Sequence, residues 1–189
     1  RKSLMDLFCP QGTHYQTFGK PQPGKSAVVF IHGLGLDLSL WQDQVTGLET
    51  EHHIITYDML GHGLSPNAPT GISLNTLARQ LNELLEHLQL ERVHLIGFSL
   101  GGLVAHVFAT EYHHRLHSLT LMNSVFDHDE PLRQAISKRV NEVEIHGPSA
   151  NIDQALTRWF SPLHTQNHTH YLAQLKAKVL SNHAASYGR

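Results

Sequence analysis

The stretch Val93-His94-Leu95-Ile96-Gly97-Phe98-Ser99-Leu100-Gly101-Gly102 decides how this 189-residue chain is read. Its first half is mostly apolar and partly β-branched, as a strand covered on both faces should be. Residues 103–109 have helical length and a good share of helix formers, so a helix follows. Between them lies Gly-x-Ser-x-Gly. A serine at the apex of so tight a turn takes a strained backbone conformation, and the residues two before and two after it must be nearly without side chains. Gly97 and Gly101 meet that demand. The turn is expected to project the Ser99 hydroxyl above the sheet at a helix N-terminus, with the Leu100 amide aimed where a negative oxygen would develop. The five-residue pattern alone is weak; the strand before it and the helix after it give it weight.

Working outward, residues 26–31 (Ser-Ala-Val-Val-Phe-Ile) read as a buried strand ending in the turn His32-Gly33-Leu34-Gly35. Residues 39–48 read as a helix with Leu40, Trp41, Val45 and Leu48 on one apolar face. Residues 53–58 form the next strand and run into a second glycine-rich turn, Gly61-His62-Gly63-Leu64-Ser65. Residues 74–90 are an amphipathic helix with Leu77, Leu81, Leu84, Leu85 and Leu88 in its stripe, and residues 116–123 are another strand. Strand and helix thus alternate over residues 26–125, which predicts an α/β fold with a mostly parallel sheet between helices. Ligands on such sheets bind outside the carboxyl ends of the strands, where His32, Ser99 and Asn123 fall. A hairpin strand is expected around residues 13–18. Beyond Phe126 the pattern turns helical: residues 127–144, 152–160 and 170–180, broken by Gly147-Pro148 and Ser161-Pro162. The expected organisation is a core over residues 1–125 and an incomplete helical lid over residues 126–189.

The composition narrows the partners. A net charge of −2 gives no footprint for nucleic acid. Cys9 is the only cysteine, so no intramolecular disulfide can form, which suits a reducing, cytoplasmic setting. No apolar run approaches the ~20 residues needed to span a bilayer, and no membrane partner is expected. There are seventeen histidines. Asn167-His168-Thr169-His170 has a ligand-like spacing, but no acidic partner follows closely, so these side chains read as solvated. The reading calls for no metal and no cofactor.

Residues 28–35, Tyr57-Asp58 with Gly61-His62-Gly63-Leu64-Ser65, and residues 97–102, in this order and spacing, resemble the α/β-hydrolase fold family. His32-Gly33-Leu34-Gly35, Trp41 with Gln44, and Gly97 to Gly102 look most like its enol-lactonase and esterase group. The resemblance implies that Ser99 is the nucleophile of an acyl-enzyme mechanism on a small ester or lactone. It implies that the Leu34 and Leu100 amides form the oxyanion hole. His32, Gly33, Phe98 and Trp41 would border the substrate pocket; His32 matches a structural loop histidine, and Asp58, His62 and Ser65 match residues that hold turns.

The family's order is Ser, then an acid, then His, with the acid usually after the lid. This chain begins with Arg1 and ends within the expected lid, so it reads as truncated, with the usual acid, the base histidine and two strands missing. Some members place the acid after the strand that precedes the lid; Asp127 and Asp129 occupy that zone, and a helix N-cap is the other reading of them. An exposed edge at residues 116–123 would invite self-association. Two further readings stand beside the hydrolase of esters or lactones. One is carbon–carbon bond hydrolysis or cofactor-free haloperoxidase or perhydrolase chemistry on the same scaffold. The other is a catalytically silent binding module without the base.

Overall fold

Val28 and Phe30 pack to one side of the sheet and Val29 and Ile31 to the other, and all four are buried. This is why the run is apolar without alternation: both faces are covered. The computed structural model describes residues 6–124, 127, 130–147, 149 and 152–181. The chain divides into two compact units, Arg1–Phe126 and Asp127–Arg189.

The first unit holds strands β1 (Leu7–Phe8), β2 (His14–Phe18), β3 (Val28–Ile31), β4 (Ile54–Tyr57), β5 (Val93–Phe98) and β6 (Leu116–Met122), with helices α1 (Gln42–Leu48), α2 (Leu74–His87) and α3 (Leu100–Glu111). The sheet order is β1-β2-β4-β3-β5-β6. β3 runs parallel to β4 and β5, and β5 parallel to β6, while β2 is antiparallel to both β1 and β4. One face carries Val29, Ile31, Ile55, Tyr57, Val93 and Leu95 against Leu81, Leu84 and Leu85 of α2 and Val104, Ala105 and Phe108 of α3. The other carries Val28, Phe30 and Ile54 against Trp41 and Val45. β6 lies at the sheet edge, with Leu121 and Met122 more than two fifths exposed. A register shift between Val93 and His94 leaves His117 out of the pairing register, with its ring stacked on that of His94 at 5.5 Å.

Several expected boundaries move. The single helix expected over residues 39–48 is a 3-10 turn, Leu38–Trp41, followed by α1; Asp37 takes the Ser39 N–H at its start. α2 opens on the Ser73 cap and closes at His87, short of residue 90, and Gln89 has φ of 55°. α3 begins at Leu100 rather than at the glycine pair.

The second unit consists, in its described residues, of α4 (Glu130–His146), α5 (Ile152–Trp159), α6 (Pro162–Asn167) and α7 (Thr169–Ser181). α5 packs on α7. Among its described residues Ile152, Ala155, Leu172, Leu175 and Val179 are the buried apolar ones, and Lys176 pairs with Asp153 at 2.5 Å. α6 lies where Ser161-Pro162 was read as a break: Ser161 caps it and Pro162 opens its first turn.

Candidate active site

The turn after β5 carries the strain that its sequence demands. Ser99 has φ of 54° and ψ of −116°, outside the regions a serine ordinarily adopts. A side chain at Gly97 would overlap the Gly101 carbonyl, and one at Gly101 would come within 2.5 Å of the carbonyl oxygens of Ile31 and His32. β5, α3 and the end of β3 therefore close on one another only because both positions are glycine. Within residues 6–124 no side chain hydrogen-bonds the Ser99 hydroxyl. The Ser99 carbonyl, in contrast, is heavily used: it accepts from Ser124 Oγ at 2.8 Å and from the Gly102 and Leu103 amides at 2.9 and 3.2 Å. The Leu100 N–H, first in α3, has no partner among the described residues.

The turn after β3 lies against this serine. A Cβ built on Gly33 would stand 3.5 Å from Ser99 Cβ and 3.0 Å from the Phe98 ring, a tight approach that any larger residue would meet only by shifting that ring. His32 is fully buried, and both its ring nitrogens are in use: Nε2 accepts from the Met59 N–H at 3.0 Å, and Nδ1 therefore carries the proton and donates to the Gly33 carbonyl at 2.8 Å. This ring holds the loop. The Gly33 carbonyl also accepts from the Leu36 amide at 3.3 Å, and the Leu34 N–H has no partner among the described residues. Trp41 is a core residue, 3% exposed, with its ring 4.6 Å from that of Phe30.

The turn after β4 is organised by Asp58. Its Oδ1 accepts from the Leu38 N–H at 2.8 Å and its Oδ2 from the Leu64 N–H at 2.9 Å, while His14 Nδ1 lies 2.6 Å from Oδ2. Ser65 Oγ donates to the Asp58 carbonyl, which also accepts from Gln80. A side chain at Gly63 would overlap the Asp58 carboxylate. Every oxygen of Asp58 is thus occupied in holding loops. His62 packs edge-on to His32 with ring centres 5.0 Å apart, and burial holds its pKa below the ordinary histidine value.

Asp127 is three quarters exposed and pairs with Arg133 at 3.4 Å. Asp129 lies outside the described residues. His164 and His168 stack on each other at 4.3 Å in the helical unit. Among the described residues no three histidine, cysteine or acidic side chains are arranged to hold a metal, and no helix is long and apolar enough to cross a membrane. The sequence reading missed His14 and Gln80, which meet Asp58 from 44 and 22 residues away, and Ser124, which meets Ser99 from 25.

The sequence pattern that defines the alpha/beta hydrolase fold matches residues 26–144, and the chain belongs to that family. It is 29% identical to 3-oxoadipate enol-lactonase 2 of Acinetobacter baylyi, covering 92% of this chain and 64% of that protein. It is 33% identical to the putative carbamate hydrolase RutD of the same organism, covering 89% of this chain and 65% of the relative. The chain therefore spans about two thirds of the length of these relatives. The crystal structure of the enol-lactonase from Burkholderia xenovorans LB400 superimposes with a TM-score of 0.85 at 27% identity, over 94% of this chain and 68% of that one.

Proposed function

We propose that this chain supplies the nucleophile and oxyanion hole of a serine hydrolase acting on a small acyl compound: a lactone, an ester or a carbamate. The observation that carries the reading is Ser99 itself, held at positive φ between β5 and α3, with its hydroxyl making no hydrogen bond among the described residues. The relatives' names, enol-lactonase and putative carbamate hydrolase, support a carbonyl carrying an oxygen or nitrogen leaving group. Ser99 Oγ attacks that carbon and the C=O electron pair moves to the oxygen. The oxyanion accepts hydrogen bonds from the Leu34 and Leu100 amides; collapse expels the leaving group, and water then releases the acyl chain. The turns carrying Gly33 and Phe98 border the reacting carbonyl, with His32 and Trp41 supporting them from within. The serine must lose its proton to a base. His32 has no free ring nitrogen, and no other histidine of residues 6–124 hydrogen-bonds the hydroxyl; the reading requires a base outside those residues.

A fluorophosphonate probe applied to the whole protein should label Ser99 and nothing else. Ser99→Ala should abolish both the labelling and the turnover of p-nitrophenyl acetate and of a simple lactone. Undiminished labelling of that variant would place the nucleophile elsewhere and overturn the reading.

A further inference from the structure

His14, on β2, is 3% exposed, and each of its ring nitrogens faces a carboxylate: Nδ1 stands 2.6 Å from Asp58 Oδ2 and Nε2 3.0 Å from Asp6 Oδ1. Its backbone is tied to the same turn. The His14 N–H donates to Ser65 Oγ at 2.9 Å, and the Asp58 N–H donates to the His14 carbonyl at 3.0 Å. Asp58 and Met59, adjacent in the chain, hold the two ends of the loop after β3: Met59 through His32, and Asp58 through the Leu38 N–H. The five residues between those anchors include Gly33 and Leu34. The Asp58 carboxylate is thus the fixed point for one end of that loop, and His14 is the side chain that bonds it from the sheet.

We propose that His14 is a positioning residue for the oxyanion loop: by donating to Asp58 it fixes the carboxylate that holds Leu38, and so the span that carries the Leu34 N–H. Its catalytic consequence rests on the serine-hydrolase reading above. Its structural consequence does not, and the two are separable.

A matched pair of variants tests it. The amide nitrogen of an asparagine occupies the place of histidine Nδ1, and that of a glutamine the place of Nε2. His14→Asn therefore keeps the donor to Asp58 and loses the one to Asp6; His14→Gln does the reverse. In His14→Gln, hydrogen exchange at the Leu38 and Leu64 amides should quicken about tenfold or more, as expected when a charge-assisted bond loosens. The kcat of the whole protein should fall about tenfold to a hundredfold with KM nearly unchanged, since displacing a reacting group by about 1 Å has that scale of effect. His14→Asn should stay within about threefold of the parent in both measurements. Equal behaviour of the two variants, or unchanged Leu38 exchange in His14→Gln, would overturn the proposal. If the parent protein showed no serine labelling, the hydrolase reading would fail, and the amide exchange alone would decide the role of His14.

Discussion

Leu95 of β5 and Leu175 of α7 are both buried leucines, but they sit in different surroundings. Leu95 lies in a sheet with helices against it, among Val29, Ile55, Leu81, Val104 and Phe108. Leu175 belongs to a five-residue set in a unit where Ile145, Trp159, Leu163, Tyr171 and Leu180 stand exposed. A side chain contributes to stability in proportion to what closes around it, and a cavity costs most where the neighbours cannot relax. The sheet unit is the one built to hold geometry, and the turns that carry Gly33 and Ser99 both issue from it. The helical unit, whose described residues form the thinner buried set, belongs to the class of segment that opens locally at low cost.

The largest expected effect comes from Gly101→Ala. Its new methyl would press on two backbone carbonyls that cannot move without parting β3 from α3, so a loss above about 4 kcal/mol in urea unfolding is expected. Gly47→Ala in α1, where a Cβ meets nothing within 4 Å, should be neutral or gain up to about 1 kcal/mol. Similar midpoints for the two would contradict the rigidity assigned to the elbow. Next, Leu95→Ala should lower global stability by about 3–5 kcal/mol. Leu175→Ala should lower it by less than half as much and show mainly as faster amide exchange within α7. Equal global losses would mean that the two units unfold as one and would remove the contrast.

Third, Leu34→Pro removes one amide donor and should reduce turnover about 100-fold in a protein with unchanged circular dichroism. Full turnover would show that the hole is built from other groups.

The smallest effect is on pH. Burial holds His62 and His53 below their ordinary value of 6.5. The unfolded chain therefore takes up protons first as the solution is acidified. The contribution of these two groups to stability is present above about pH 6.5 and is lost as pH falls below it. Replacing both residues with glutamine should flatten that slope in urea midpoints measured between pH 7.5 and 5.5; an unaltered slope would assign it to other groups.

What could be read from the sequence followed the range of the interactions concerned. β3, β5 and the elbow were legible because strand, glycines and helix signal one another within a dozen residues. β1, two residues long, is held by pairing with Leu7↔Tyr15 and Phe8↔His14 and has no pattern of its own. α6 was hidden because Ser-Pro reads as a break, although a serine cap followed by proline also starts a helix. His14 gave no local signal: a lone histidine in a strand becomes informative only when Asp58, 44 residues on, folds against it. Trp41 read equally as wall or core, and packing against Phe30 made it core.

A trans peptide points its oxygen and its hydrogen in opposite directions, so fixing one aims the other. The Gly33 oxygen is held by His32 and the Leu36 amide, and the Ser99 oxygen by Ser124 and two amides of α3. The two peptide planes are thereby fixed from their carbonyl sides, and the opposite edges are the Leu34 and Leu100 N–H groups. Neither hydrogen can swing away without first breaking a bond behind it. On the serine-hydrolase reading proposed above, an incoming carbonyl would meet donors whose direction is set before it arrives, leaving little orientational work for the moment when negative charge builds on the oxygen.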